Sequence, residues 1–344
     1  MNTENNYSTE LEELFQEAQS LYQSGRYEEA VAKYQRAREM GHVAAISRLA
    51  VCYFQGNGVA KDVKVSIDYF HESAELGDAA AQYYLGYFAT LRENYADASY
   101  WYGKAADQKY AAAQVGIGMM YFEGLGYPQD YAKAAGWFWL AAEQGDRTGQ
   151  RNLAMCYLLG HGRPKNTAEA AKWFEKAALQ GDAQAQYNLA HLYTTGNGIP
   201  KDYAIGLRWF TEAAWNQFAG AAFNVGLFYE NGWGTGVDLE KALEWHLKAA
   251  NSGDAKAQNH VGVFYFSGKG TPQNYGEAIK WFTKAAEQNF PDALSNLGKV
   301  YENGYGVKKD VKKAIDWYEK AAQCGVSSAK ERIAALKKKR FPWF

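Results

Sequence analysis

Apolar residues fall along this chain in pairs of short amphipathic stretches. In residues 182–217, DAQAQYNLAHLYTTGNGIPKDYAIGLRWFTEAAWNQ, the residues Ala185, Leu189, Ala190 and Tyr193 are spaced by four and three, which predicts one apolar helix face. Gly196 and Gly198 bracket a single residue and end that helix, because glycine accepts the left-handed φ of a C-terminal cap. A second helix follows, with Trp209, Phe210, Ala213 and Ala214 on its buried side. We call the first helix A and the second B. A Trp-aromatic dipeptide marks helix B at Trp101-Tyr102, Trp137-Phe138, Trp173-Phe174, Trp209-Phe210, Trp281-Phe282 and Trp317-Tyr318, with Tyr69-Phe70 and Trp245-His246 as variants. From Trp101 onward the step is 36 residues, and from Tyr69 to Trp101 it is 32. A fixed period of this size predicts stacked helical pairs that each contact only their neighbours.

Eight copies start near His42, Asp78, Tyr110, Asp146, Asp182, Phe218, Asp254 and Phe290. The slot before helix B holds Asp62, Asp130, Asn166, Asp202, Asp238, Asn274 and Asp310. Asp and Asn side chains accept a hydrogen bond from an exposed helix N–H, so this slot reads as an N-cap contributing about 1 kcal/mol per helix, not as a ladder of metal ligands. The copy at Asp78 is short, and its connection, LRENYADA, lacks the Gly-x-Gly. The organisation expected is a helical pair in residues 1–41, the eight copies in 42–325, and a capping helix with an aromatic tail in 326–344. Lys337, Lys338, Lys339 and Arg340 read as a solvated helix end or a contact for acidic partners or lipid heads. Phe341, Trp343 and Phe344 flank Pro342, which cannot continue the helix; two readings stand, a cap folded over the last copy or an insertion into a partner.

Composition narrows the function. A net charge of -1 supplies no basic field for nucleic acid or anionic lipid. The three cysteines, Cys52, Cys156 and Cys324, form no CxxC and point to a reducing compartment. The polar N-terminus lacks the features of a signal peptide, and no run of 18 apolar residues occurs, so a cytoplasmic protein without an integral membrane segment is expected; a removed leader would make it periplasmic or secreted. His42, His71, His161, His191, His246 and His260 are scattered, with no i,i+4 pair and no carboxylate motif nearby. No HExxH, GxSxG or Walker loop is present, so no catalytic residue, metal or cofactor is expected.

The recurring Ala-x-x-x-Leu-Gly-x-x-Tyr of helix A, the Gly-x-Gly-Val loop, the Asp before helix B and its Trp-Phe-x-x-Ala-Ala resemble the Sel1-like repeat, a relative of the tetratricopeptide repeat. Residues 25–30, GRYEEA, look like an ordinary tetratricopeptide unit. The resemblance implies an all-α, right-handed α-solenoid of stacked helix-turn-helix repeats, with helix A lining a concave surface. It also implies a non-enzymatic adaptor or scaffold. Some bacterial members of the family are immunity proteins against a toxin, which is the alternative reading. A β-lactam-binding, hydrolase-like branch carries one disulfide per repeat, and this chain lacks that pattern.

If helix A lines a groove, its variable positions carry specificity. Those positions lie two before, two after and five after the Leu of Leu-Gly. They give Tyr83, Tyr87, Met119, Arg151, Met155, Tyr187, His191, Phe223, Leu227 and Asn259, together with Ser47, Val51, Phe54, Thr90, Val115, Phe122, Leu158, Thr194, Glu230, Val263, Phe266, Ser295, Lys299 and Glu302. Met and aromatics suit a peptide or helix with bulky anchors, although Phe54, Phe122 and Phe266 equally suit packing between copies. Asn152, Asn188, Asn224 and Asn296 share one slot before the Leu, with His260 in the missing place. Two readings stand for this row: amides pairing with a bound peptide backbone, or bonds to the adjacent repeat's backbone that serve curvature. The partner expected is a protein or peptide, with the chain otherwise monomeric.

Overall fold

The computed structural model describes residues 2–340, with side chains described for residues 9–337. Nineteen α-helices and no strand occupy the described residues. The chain divides into two compact units, Met1–Ala177 and Ala178–Phe344. In the first, α1 (Asn2–Gln23) and α2 (Tyr27–Glu39) precede the A/B pairs α3 (Val43–Gln55) and α4 (Val63–Glu75), α5 (Ala79–Leu91) and α6 (Tyr95–Asp107), and α7 (Ala111–Glu123) and α8 (Tyr131–Glu143). Helix α9 (Arg147–Leu159) follows, and the boundary falls within α10 (Thr167–Leu179). The second unit holds α11 (Ala183–Thr195) and α12 (Tyr203–Trp215), α13 (Ala221–Asn231) and α14 (Leu239–Asn251), α15 (Ala255–Ser267) and α16 (Tyr275–Glu287), α17 (Pro291–Asn303) and α18 (Val311–Gln323), and a final α19 (Ser327–Arg340). Within each unit successive helices pack on one another, and in the first α7 also lies between α5 and α9. Phe341, Trp343 and Phe344, and the side chains of Lys338, Lys339 and Arg340, lie outside the described residues.

The helix ends follow the cap chemistry. Asp62, Asp130, Asp202, Asp238, Asn274 and Asp310 each accept a bond from a first-turn N–H of helix B, as Asn166 does from Glu169. In the short copy the connection shrinks from the expected LRENYADA to residues 92–94, because α5 runs on to Leu91 and α6 resumes at Tyr95. Asn94 caps α6, and Glu93 takes the left-handed turn at φ 59°. The second glycine of the usual loop has its own cause. A Cβ on Gly58, Gly234 or Gly270 would collide with the backbone of Tyr27, Tyr203 or Leu239, the first residue of the preceding B helix. The loop lies directly on that helix end, and only glycine allows the approach.

The centre of each repeat is the residue after the Trp, not the indole. Phe70, Phe138, Phe174, Phe210 and Phe282 are at most 2% exposed, while Trp173, Trp209 and Trp281 are buried less deeply and Trp101, Trp137, Trp245 and Trp317 are only half-buried. The ring drops into a notch on helix A: a Cβ on Gly118 or Gly262 would come within 2.5 Å of Phe138 or Phe282. The outer indole face is covered from the next turn, with Lys176 Nζ 3.7 Å from the Trp173 ring and Lys284 Nζ 4.1 Å from that of Trp281. Ala105, Ala141, Ala213, Ala285 and Ala321 are fully buried and let neighbouring helices close. Buried glutamines tie repeat to repeat: the Nε2 atoms of Gln82, Gln186 and Gln258 donate to the carbonyls of Ala74, Ala178 and Ala250 on the preceding B helix.

Candidate functional site

Helix A presents the sequence-predicted residues in register, but at different depths. In the first unit, Tyr87 and Met119 are exposed at 40% and 38%, and Tyr83, Arg151, Asn152 and Met155 are half-buried. Because α5, α7 and α9 are neighbours, Tyr87, Met119 and Met155 occupy one register position on adjacent helices. Tyr83 packs among Tyr84, Tyr102 and Tyr110 at centroid distances of 5.4–5.8 Å, and burial pushes its hydroxyl up to about 12. In the second unit His191 is exposed, while Tyr187, Asn188, Asn224, Leu227 and Asn296 are half-buried. The His191 ring stands edge-on to Tyr187 and Phe210, and the surrounding desolvation holds its pKa below the usual histidine value.

Several predicted positions face inward instead. Phe223 and Asn259 are 5% and 9% exposed; Phe223 packs with Leu243, Val261 and Phe264 in the core. Ser47, Val115 and Glu302 are also buried. Phe122 and Phe266 lie 6.4 Å and 6.3 Å from Phe138 and Phe282 of their own B helices, so they belong to the stack. The asparagine slot contacts the preceding A helix through side chains, where the sequence reading had offered its backbone. Asn224 Nδ2 donates to Tyr187 Oη at 3.2 Å, Asn296 Nδ2 to Asn259 Oδ1 at 2.9 Å, and Asn152 Nδ2 lies 3.7 Å from Met119 Sδ.

A polar centre in the second unit was missed by sequence reasoning. His246 and His260, read as scattered, converge on Glu230: His260 Nε2 donates to Glu230 Oε2 at 2.7 Å, and His246 Nε2 is 3.5 Å from the same oxygen. Lys269 Nζ is 3.4 Å from the other oxygen, Oε1. The two imidazoles hold the carboxyl well below its ordinary range, and burial pushes His246 down in turn. The three residues come from α13, α14 and α15, which is why no local motif announces them.

The Sel1 repeat model matches residues 43–78, 79–110, 111–146, 148–182, 183–214, 219–254, 255–290 and 291–326. The chain belongs to the Sel1 repeat family. Its fold is similar to that of c5321, a protective antigen of uropathogenic Escherichia coli with an SLR fold, at 32% identity and TM-score 0.81, over 90% of this chain and 68% of that one. It is also similar to a Sel1 repeat protein from Oxalobacter formigenes, at 32% identity and TM-score 0.59, over 70% of this chain and 96% of that one. The immunity protein PA5088 from Pseudomonas aeruginosa is 20% identical over 62% of this chain and 82% of that one, with a TM-score of 0.36. No curated protein matches the chain. The Sel1 fold is an all-α repeat solenoid that typically serves as a protein-interaction scaffold and is generally non-catalytic. No helix of the described residues is long and apolar enough to cross a membrane.

The Sel1 register supplies the signal that finds the polar centre. The residue five after the Leu of helix A faces the second aromatic slot of helix B, 16 residues on in full-length repeats. Where the B slot is Phe, its A partner is Phe, Leu or Thr. Where it is Tyr, the partner is polar: Thr90 Oγ1 lies 3.5 Å from Tyr102 Oη, and Tyr318 Oη donates to Glu302 Oε2 at 3.0 Å. Arg332 of α19 completes the second of these with a bidentate bond to Glu302. In the sixth repeat the pair is Glu230 and His246, and His260 occupies the asparagine slot of the seventh. Three departures from the repeat pattern thus meet at one point.

Proposed function

We propose that the protein is a non-catalytic adaptor whose helix-A face binds an extended or helical segment of a partner protein. The observation that carries this reading is the exposed row Tyr87 and Met119, continued by half-buried Met155, at one register position of adjacent helices in the first unit. Large apolar side chains held out on a rigid frame supply anchoring contacts at little ordering cost, and thioethers adapt to bulky partner residues. The half-buried Asn152 and Arg151 beside the row offer polar contacts at its rim. This surface suits a helix-in-groove or extended-segment partner.

The test is affinity capture from native extract followed by crosslinking. Tyr87→Lys with Met119→Lys should abolish the principal crosslink and leave the melting curve unchanged. Trp139→Lys, a substitution at an equally exposed position on helix B, should retain it. Crosslinking that survives the Tyr87/Met119 change, or maps to helix B, would exclude this face.

A further inference from the structure

We infer that Glu230, His246 and His260 form a binding site for a single divalent transition-metal ion, with Zn2+ the best match. The side-chain atoms available as ligands lie within 4.8 Å of one another. Glu230 Oε2 faces the Nε2 atoms of both histidines, at 2.7 Å and 3.5 Å, so three donors already point at one small volume. Two imidazoles and one carboxylate are a borderline-soft set that zinc accepts at about 2.0–2.2 Å, leaving a further position for water. The side chains of His260 and Glu230 keep 27% and 16% of their surface exposed, which gives an ion a way in.

Two further observations favour coordination over a simple ion pair. His246 is fully buried, yet neither of its ring nitrogens has a hydrogen-bond partner among the described residues. A buried polar nitrogen left unpaired is costly, and the sibling repeats avoid that cost with Phe or Tyr in the same slot. A metal on Nε2 would give that nitrogen a partner. Lys269 holds the opposite oxygen, Oε1, and so turns Oε2 toward the histidines without occupying it. The walls are Phe223 and Phe264, with ring centroids 5.0 Å and 5.4 Å from that of His246, and Gly226, where a Cβ would come within 2.5 Å of the imidazole.

The sibling repeats also supply substitutions that the fold tolerates. His246→Phe restores the residue of the fifth and seventh repeats, and His260→Asn that of the fourth, fifth, sixth and eighth. Untagged full-length protein, stripped with a chelator and dialysed, is titrated with ZnCl2 by calorimetry and melted with and without the ion. The wild type should take up one Zn2+ per chain and melt at a higher temperature with zinc. His246→Phe, His260→Asn and Glu230→Gln should each weaken uptake by about tenfold or more and lose the zinc-dependent rise, while His161→Asn keeps both. Failure of the wild type to bind Zn2+, Co2+ or Ni2+ overturns the inference, leaving a carboxylate bridging two histidines. Undiminished uptake by the His246→Phe/His260→Asn double variant overturns it as well, since the ion would then sit elsewhere.

Discussion

Asn296 tests how the asparagine slot is used. Its Nδ2 donates to Oδ1 of Asn259 at 2.9 Å, and Asn259 is 9% exposed whereas Asn296 is half-buried. Removing the donor with Asn296→Ala leaves a buried acceptor without its partner, which costs about 1–3 kcal/mol. The converse change, Asn259→Val, places at this register position the residue that Val115 supplies in the third repeat. It leaves the Asn296 amide able to reach water, so the loss should be about 0.5–1.5 kcal/mol. The double variant removes both polar partners and should cost less than the sum, with a coupling of about 1 kcal/mol. The assay is urea unfolding with hydrogen exchange on α15 and α17, because repeat arrays open in parts and a global curve dilutes a local loss. Additivity within about 0.3 kcal/mol would show that the bond contributes nothing to stacking and would refute the reasoning.

Other outcomes follow from the same packing. Phe282→Ala opens a cavity at the centre of the seventh repeat and should cost about 3–5 kcal/mol in chemical unfolding; a loss near 1 would mean that the A and B helices close the gap. Asp238→Ala removes the cap of α14 and should cost about 1 kcal/mol, with amide exchange speeding up first at Lys241. Burial pushes the thiols of Cys52 and Cys156 up to about 11, whereas Cys324 is exposed, so a thiol reagent at pH 8 should label one cysteine in the native protein and three after denaturation. Because both folded values lie above the ordinary 9.0, the stability these neutral thiols contribute is complete below pH 9 and is lost as the pH rises toward 11, which a melt series over that range would show.

The fold was legible because it is written repeatedly. Trp-aromatic dipeptides, Gly-x-Gly loops and Asp or Asn caps each state a local preference that the stack satisfies, so agreement among copies replaces the missing tertiary information. The reading failed where a residue's partner lies outside its own repeat. It failed too in the short copy, where Asn94 caps its helix without the glycine loop that marked the other copies, and the connection was therefore drawn too long. Phe223 and Asn259 share a slot with the half-buried Tyr187, yet core neighbours cover them. Glu230, His246 and His260 escaped notice because their meeting depends on three helices, and periodicity describes only what copies have in common. The departures become visible once each residue is compared with its register equivalents.

The matched slots of helices A and B make each repeat an indivisible cassette. Glu302 with Tyr318, Glu230 with His246 and Phe266 with Phe282 are three solutions to the same junction, and a half taken from one would strand a carboxylate against a phenyl ring in another. Recombination between such copies is therefore less costly at the turns joining one repeat to the next, the sixth-to-seventh turn excepted because Glu230 meets His260 across it, than within the Gly-x-Gly loops. Lineages that gain or lose repeats by unequal exchange should carry their breakpoints at those turns, and engineered arrays assembled from this chain should be cut there too.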